Sequence, residues 1–119
     1  MTLASAIAIA VVSCLLHEAA HAGCAAVLGS QVKRIGISRI GLYVVRSRIP
    51  GRWRETVAGL AGPALNLTLA LLWLNNIPAL HQAGWINAVL GVVNLLPLPH
   101  SDGLRVLALW RTAPSGGLP

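Results

Sequence analysis

Residues 3–28 read LASAIAIAVVSCLLHEAAHAGCAAVL, an apolar run interrupted near its C-terminal end by His17, Glu18 and His21. A membrane-spanning helix needs about 20 mainly apolar residues, so this run reads as one crossing. Histidines four apart share a helix face, and both imidazoles can reach a single metal ion. The glutamate between them projects beside that ion, where it can take a proton from an activated water. An ionisable side chain at the centre of a spanning helix costs roughly 2.5–3.5 kcal/mol on insertion scales. A bound divalent cation is the simplest offset. The plainer reading, hydrogen-bonded core histidines beside a surface glutamate, is disfavoured by the apolar setting.

The rest of the composition points the same way. The chain has 119 residues, room for one domain, and is 55% hydrophobic with only 10% charged residues. No Asp, Glu, Lys or Arg occurs from position 56 to 101, a stretch of 46 residues that holds two crossings and a short turn. The expectation is an integral membrane protein. A formal charge of +6 raises nucleic acid as a partner. Placement argues against it, because seven of the nine basic residues (Lys33, Arg34, Arg39, Arg46, Arg48, Arg52 and Arg54) fall between two apolar runs. That is the pattern of a cytoplasmic loop. The N-terminus lacks the basic region of a secretory signal and reads as a retained anchor that starts outside. Cys14 and Cys24 lie ten apart on one helix, about 15 Å, too far for a disulfide, and read as small packing residues.

Taken in order, the first crossing covers about 3–28 and Gly29-Ser30 closes it. Residues 31–49 mix Val32, Ile35, Ile37, Ile40, Leu42, Val44 and Val45 with Arg, Lys, Ser and Gly. This predicts a strand pair turning near Ser38–Gly41, with an irregular basic loop on the lipid headgroups as the alternative. The second crossing runs over about 55–75, where Ala58 and Gly62 allow close helix approach. Asn75-Asn76-Ile77-Pro78 breaks it, and an outer turn to about Gln82 carries His81 as a solvated loop histidine. The third crossing, about 84–111, is interrupted by Pro97 and Pro99 and resumes at Leu104. Irregular backbone at membrane depth is tolerated only beside protein or a wet cavity, so this break predicts a pocket. Asp102 lies nine residues before Arg111, about 14 Å, and so near the depth of His17. The tail 112–119 is Pro/Gly-rich and expected to be disordered. The expected fold is membrane α-helical: a three-transmembrane-helix core with a small β-hairpin between helices 1 and 2 and a broken third helix, one domain over 1–119.

Three motifs follow in sequence: His17-Glu18-x-x-His21, Gly62-x-x-x-Asn66 and Asn94-x-x-Pro97-x-x-x-x-Asp102-Gly103. In their order and placement the chain resembles the site-2 protease family of intramembrane zinc metalloproteases, over roughly residues 3–112. The resemblance implies one Zn2+ per chain held by His17, His21 and Asp102, with Glu18 as general base. Two nitrogens and one carboxylate oxygen leave a fourth tetrahedral position open, as a catalytic zinc requires. It also implies that Asn94, and after it Asn66, face the active site to bind substrate or the developing oxyanion; interhelical hydrogen bonding is an equal alternative for Asn66. The strand segment gains the role of holding an extended substrate by strand addition. Neither a PDZ nor a CBS domain is expected within these 119 residues, where members of the family carry them. The chain also carries Pro99-His100-Ser101 before Asp102, where His100 is read as an interfacial or outer group rather than a competing ligand.

The function implied is zinc-dependent endoproteolysis in or near transmembrane segments. The expected partners are a membrane-protein or peptide substrate, the lipid bilayer and accessory membrane proteins, with no nucleic acid. The expected location is a prokaryotic cell membrane with the 31–54 segment cytoplasmic. The rivals are a non-catalytic metal- or partner-binding protein on the same scaffold, and a metal transporter. One polar cluster makes a site rather than a pathway, and Glu18 is in place, so both rank below the peptidase.

Overall fold

A computed structural model of the protein describes residues 1–39 and 41–111. The first helix, α1 (Leu3–Val27), begins in a capping box: the Ser5 N–H donates to Thr2 Oγ1 at 3.1 Å and the Thr2 N–H to Ser5 Oγ at 3.0 Å. It ends at Leu28, where the Ser30 N–H reaches Ala25 O (2.9 Å), the Gly29 N–H reaches Ala26 O (3.1 Å) and Gly29 adopts φ 108°. This paired closure needs a left-handed residue, which glycine supplies without a Cβ penalty.

Strands β1 (Val32–Ser38) and β2 (Gly41–Arg46) form an antiparallel hairpin with Ile35 opposite Val44 and Gly36 opposite Tyr43, and an irregularity between Val32 and Arg34. The expected strand pair is therefore present; Ile40 lies outside the described residues. The hairpin is fastened to the helices. Arg46 grips the Glu55 carboxylate through two hydrogen bonds (3.1 and 2.8 Å), and Glu55 Oε1 also accepts the Ile49 N–H at 2.8 Å. Ile49 is buried against Ala25 and Ala58, so this apolar contact joins α1, the linker and the next helix.

Helix α2 (Arg52–Asn76) starts three residues before the expected boundary. Arg52 and Arg54 flank Trp53 in its first turn and are charged, because a helix can extend past the hydrocarbon into the interface, where tryptophan is also at home. A short 3-10 turn (Pro78–Leu80) reverses the chain, and α3 (His81–Leu95) follows at once. His81 is thus the exposed first residue of α3 rather than a loop histidine, and α3 begins three residues earlier than Gly84. The proline-led turn completes the reversal in fewer residues than the sequence reading allowed. Against α2, Gly84 and Gly91 lie close to Leu74 and Leu67: an added Cβ would come within 2.8 Å and 2.7 Å of those side chains.

Residues 96–101 are not helical, and α4 (Asp102–Arg111) begins two residues before the expected Leu104. Ser101 is the reason. Its buried Oγ accepts from the Leu104 N–H (3.0 Å) and the Leu98 N–H (3.2 Å) and donates to Leu96 O (2.6 Å), capping α4 while folding the break. Ser101→Ala is expected to lower stability by about 0.5–2 kcal/mol, the usual range for a lost helix cap, read as a lower midpoint for unfolding in detergent.

Among the described residues, α1 and α2 are long and apolar enough to cross a membrane, with mean hydropathies of 1.9 and 1.7. They turn Ile7, Val11, Leu15, Val57 and Leu71 outward. The tail 112–119 lies outside the described residues.

Candidate metal centre

The two motif histidines and the distant aspartate meet. His17 Nε2 lies 2.8 Å from Asp102 Oδ2, His21 Nε2 lies 3.0 Å from the same oxygen, and the two Nε2 atoms are 3.1 Å apart. His17 and Asp102 are buried and His21 is half-buried. The depth match between Asp102 and His17 in the sequence thus becomes direct contact, across 85 residues of chain.

The hydrogen bonds behind the rings define their proton positions. His21 Nδ1 sits 2.7 Å from the main-chain carbonyl of Ala58, an acceptor only, so Nδ1 carries the proton. His17 Nδ1 faces Asn66 Oδ1 at 2.6 Å and donates to it in the same way. Both Nε2 lone pairs then converge with a carboxylate oxygen on one point. Three electron-rich atoms so arranged repel one another unless a positive charge lies among them. Two imidazole nitrogens and one carboxylate oxygen are a donor set that suits zinc. His17, His21 and Asp102 therefore form a group able to hold a metal ion. Arg105 approaches the other Asp102 oxygen at 3.8 Å from a largely exposed position, which leaves Oδ2 to the histidines.

Gly62 makes this convergence possible. A Cβ built there would lie 2.5 Å from His21 Nε2 and 2.7 Å from His17 Cε1 and Nε2. In sequence Gly62 stood out as a small residue for helix approach; in the structure it is the floor beneath both rings. Gly62→Ala is expected to displace the imidazoles and weaken metal uptake about 10–100-fold, the range seen when a metal-binding histidine loses its support. Competition against a chromophoric chelator measures it.

A cavity of about 870 Å3 opens onto the group. Glu18, half-buried on α1, lines it, as do Asn94 and the β2 residues Tyr43 to Arg46. Asn94 is held by a hydrogen bond from Nδ2 to Leu90 O at 2.9 Å. His100 also lines the cavity, exposed and with φ 64°, but it is not part of the ligand group. Cys14 is exposed along the same wall, and Cys24 is half-buried; both are free thiols.

Asn66 lines the cavity as well. It is fully buried, its Oδ1 accepts from His17, and its Nδ2 donates to Asn87 Oδ1 at 2.8 Å. The interhelical hydrogen bonding that is one of its two readings is present. Asn87 and Ser13, which complete this buried chain, went unremarked in the sequence. The signal was available: Asn87 is polar inside a charge-free apolar stretch, seven residues before Asn94, and Ser13 is four before His17 on the same face.

No family model matches the chain. A zinc metalloprotease of Methanocaldococcus jannaschii is 30% identical over 106 residues, an alignment that takes in 81% of this chain and 31% of that protein. The solved structure of a site-2 protease from the same organism superposes with a TM-score of 0.70 at 29% identity, covering 83% of this chain and 50% of the other. The chain thus spans 31% and 50% of the lengths of these two relatives. Its resemblance to the site-2 protease family holds in sequence and in fold.

Proposed function

We propose that the chain is the core of a zinc-dependent intramembrane endopeptidase. The observation that carries this reading is the meeting of two imidazole nitrogens and one carboxylate oxygen within 3.1 Å of one another, at a cavity also lined by Glu18. In the reading, His17, His21 and Asp102 hold one zinc per chain, which supplies Lewis acidity to the scissile carbonyl and the attacking water. Glu18 takes the proton from that water and passes it to the departing amide nitrogen. Asn94, fixed on the cavity wall, hydrogen-bonds the substrate main chain or its developing oxyanion. Peptide bonds inside an intact helix are shielded, so a substrate must be extended to react. The free edge of β2, which lines the cavity, offers main-chain groups to such a strand.

In this reading α3 and α4 together make a third crossing, broken at 96–101 so that Asp102 enters at the level of His17. Trp110 at the end of α4 supports that path. Its Nε1 donates to Thr56 Oγ1 at 2.8 Å, and its ring meets Trp53 edge-on at 4.9 Å and lies under Arg52. The end of α4 therefore lies beside the start of α2, next to the basic hairpin, as an aromatic belt at the cytoplasmic interface would. The N-terminus is then outside, and the substrates are membrane proteins.

Untagged protein purified in detergent should contain one zinc per chain and cleave members of a panel of single-pass membrane substrates. Chelation should abolish cleavage, and added zinc should restore it. Protein that carries no zinc, or cleaves equally after chelation, would overturn the reading.

A further inference from the structure

Asn66 and Asn87 are fully buried, and a buried donor or acceptor is costly unless it finds a partner. Their hydrogen bonds run in one direction, and the direction is imposed from one end. Asn87 Nδ2 lies 3.0 Å from Ala83 O and 3.0 Å from Ser13 Oγ. A main-chain carbonyl only accepts, so the NH2 of Asn87 must be at that end and its Oδ1 at the other. Asn87 Oδ1 in turn lies 2.8 Å from Asn66, and only the NH2 of Asn66 can satisfy it. That turns Asn66 Oδ1 toward His17 Nδ1, 2.6 Å away, which must then be protonated. The Nε2 lone pair is left facing Asp102 and His21.

We propose that Asn87 is a positioning residue: through Asn66 it fixes the His17 ring with its proton on Nδ1 and its Nε2 lone pair toward the metal group. The inference rests on the metal reading of that site, and goes beyond it by assigning His17's tautomer to a residue on a different helix. A ligating histidine whose outer partner is lost typically gives up 10–100-fold in metal affinity. Asn87 acts two hydrogen bonds away from the ring, and among the described residues it is the partner of Asn66 Nδ2, so the same range applies.

The test uses the untagged chain in detergent with 15N-labelled histidine. Metal-free wild type should show His17 protonated at Nδ1, where Asn66 Oδ1 accepts, whatever proton Nε2 shares with Asp102, and its zinc affinity is read by chelator competition. Asn87→Leu leaves Asn66 free to rotate and should give mixed His17 tautomers with zinc bound 10–100-fold more weakly. Asn87→Asp still accepts from Asn66 Nδ2 and should keep the wild-type tautomer and near wild-type affinity. Ser13→Ala leaves the Ala83 carbonyl in command and should also behave as wild type. A single Nδ1–H tautomer in Asn87→Leu, or mixed tautomers in folded Asn87→Asp, would overturn the proposal. If Asn87→Leu does not fold, the Asn87→Asp and Ser13→Ala spectra decide it. Failure of wild type to take up zinc would sink the metal reading instead, while the spectra of metal-free protein still judge Asn87.

Discussion

Replacing Glu18 by glutamine is expected to leave zinc content unchanged and to reduce cleavage of a single-pass substrate by about 10²–10⁴-fold, the usual contribution of a general acid–base group. Glutamine has nearly the same shape, so the half-buried position on α1 and the cavity wall are preserved. It cannot accept the proton that the attacking water must lose. Glu18 stands apart from the three ligand atoms, which lie on His17, His21 and Asp102, so the metal group should be untouched. Parallel measurement of zinc per chain and of initial cleavage rate separates the two roles. A variant that cleaves at the wild-type rate would place the base elsewhere.

Asp102→Ala should act on the other quantity. Removing Oδ2 takes away the atom that lies 2.8 and 3.0 Å from the two imidazoles and leaves their Nε2 atoms facing each other at 3.1 Å. A site reduced from three protein ligands to two is expected to lose more than the roughly 10–100-fold in affinity that an outer partner is worth, and with it cleavage. Chelator competition is the measurement. Retained zinc in this variant, with the helices intact by circular dichroism, would mean that the aspartate is not a ligand.

How much of this was legible beforehand depended on how local the cause was. His17 and His21 could be placed together because a helix fixes the relation of positions four apart, and α1 is one unbroken helix. The hairpin was legible because β-branched residues and Gly41 mark strands and a turn. Counting back from Arg111 set Asp102 level with His17, and their contact comes through the non-helical path at 96–101. The start of α3 was misplaced because a 3-10 turn carries little sequence signature beyond Pro78. Asn66 could not be assigned a direction in advance. Which way its amide turns is decided by Asn87, 21 residues on, and by a carbonyl that belongs to the backbone and not to any side chain.

That last distinction separates the two histidines in evolutionary terms. His21 is anchored to the Ala58 main-chain carbonyl, which persists whatever side chain occupies position 58. His17 is anchored to a chain of side chains, each of which a single nucleotide change can replace. The support behind the His21 ring is thus insensitive to substitution at position 58, whereas the support behind the His17 ring changes with positions 66 and 87.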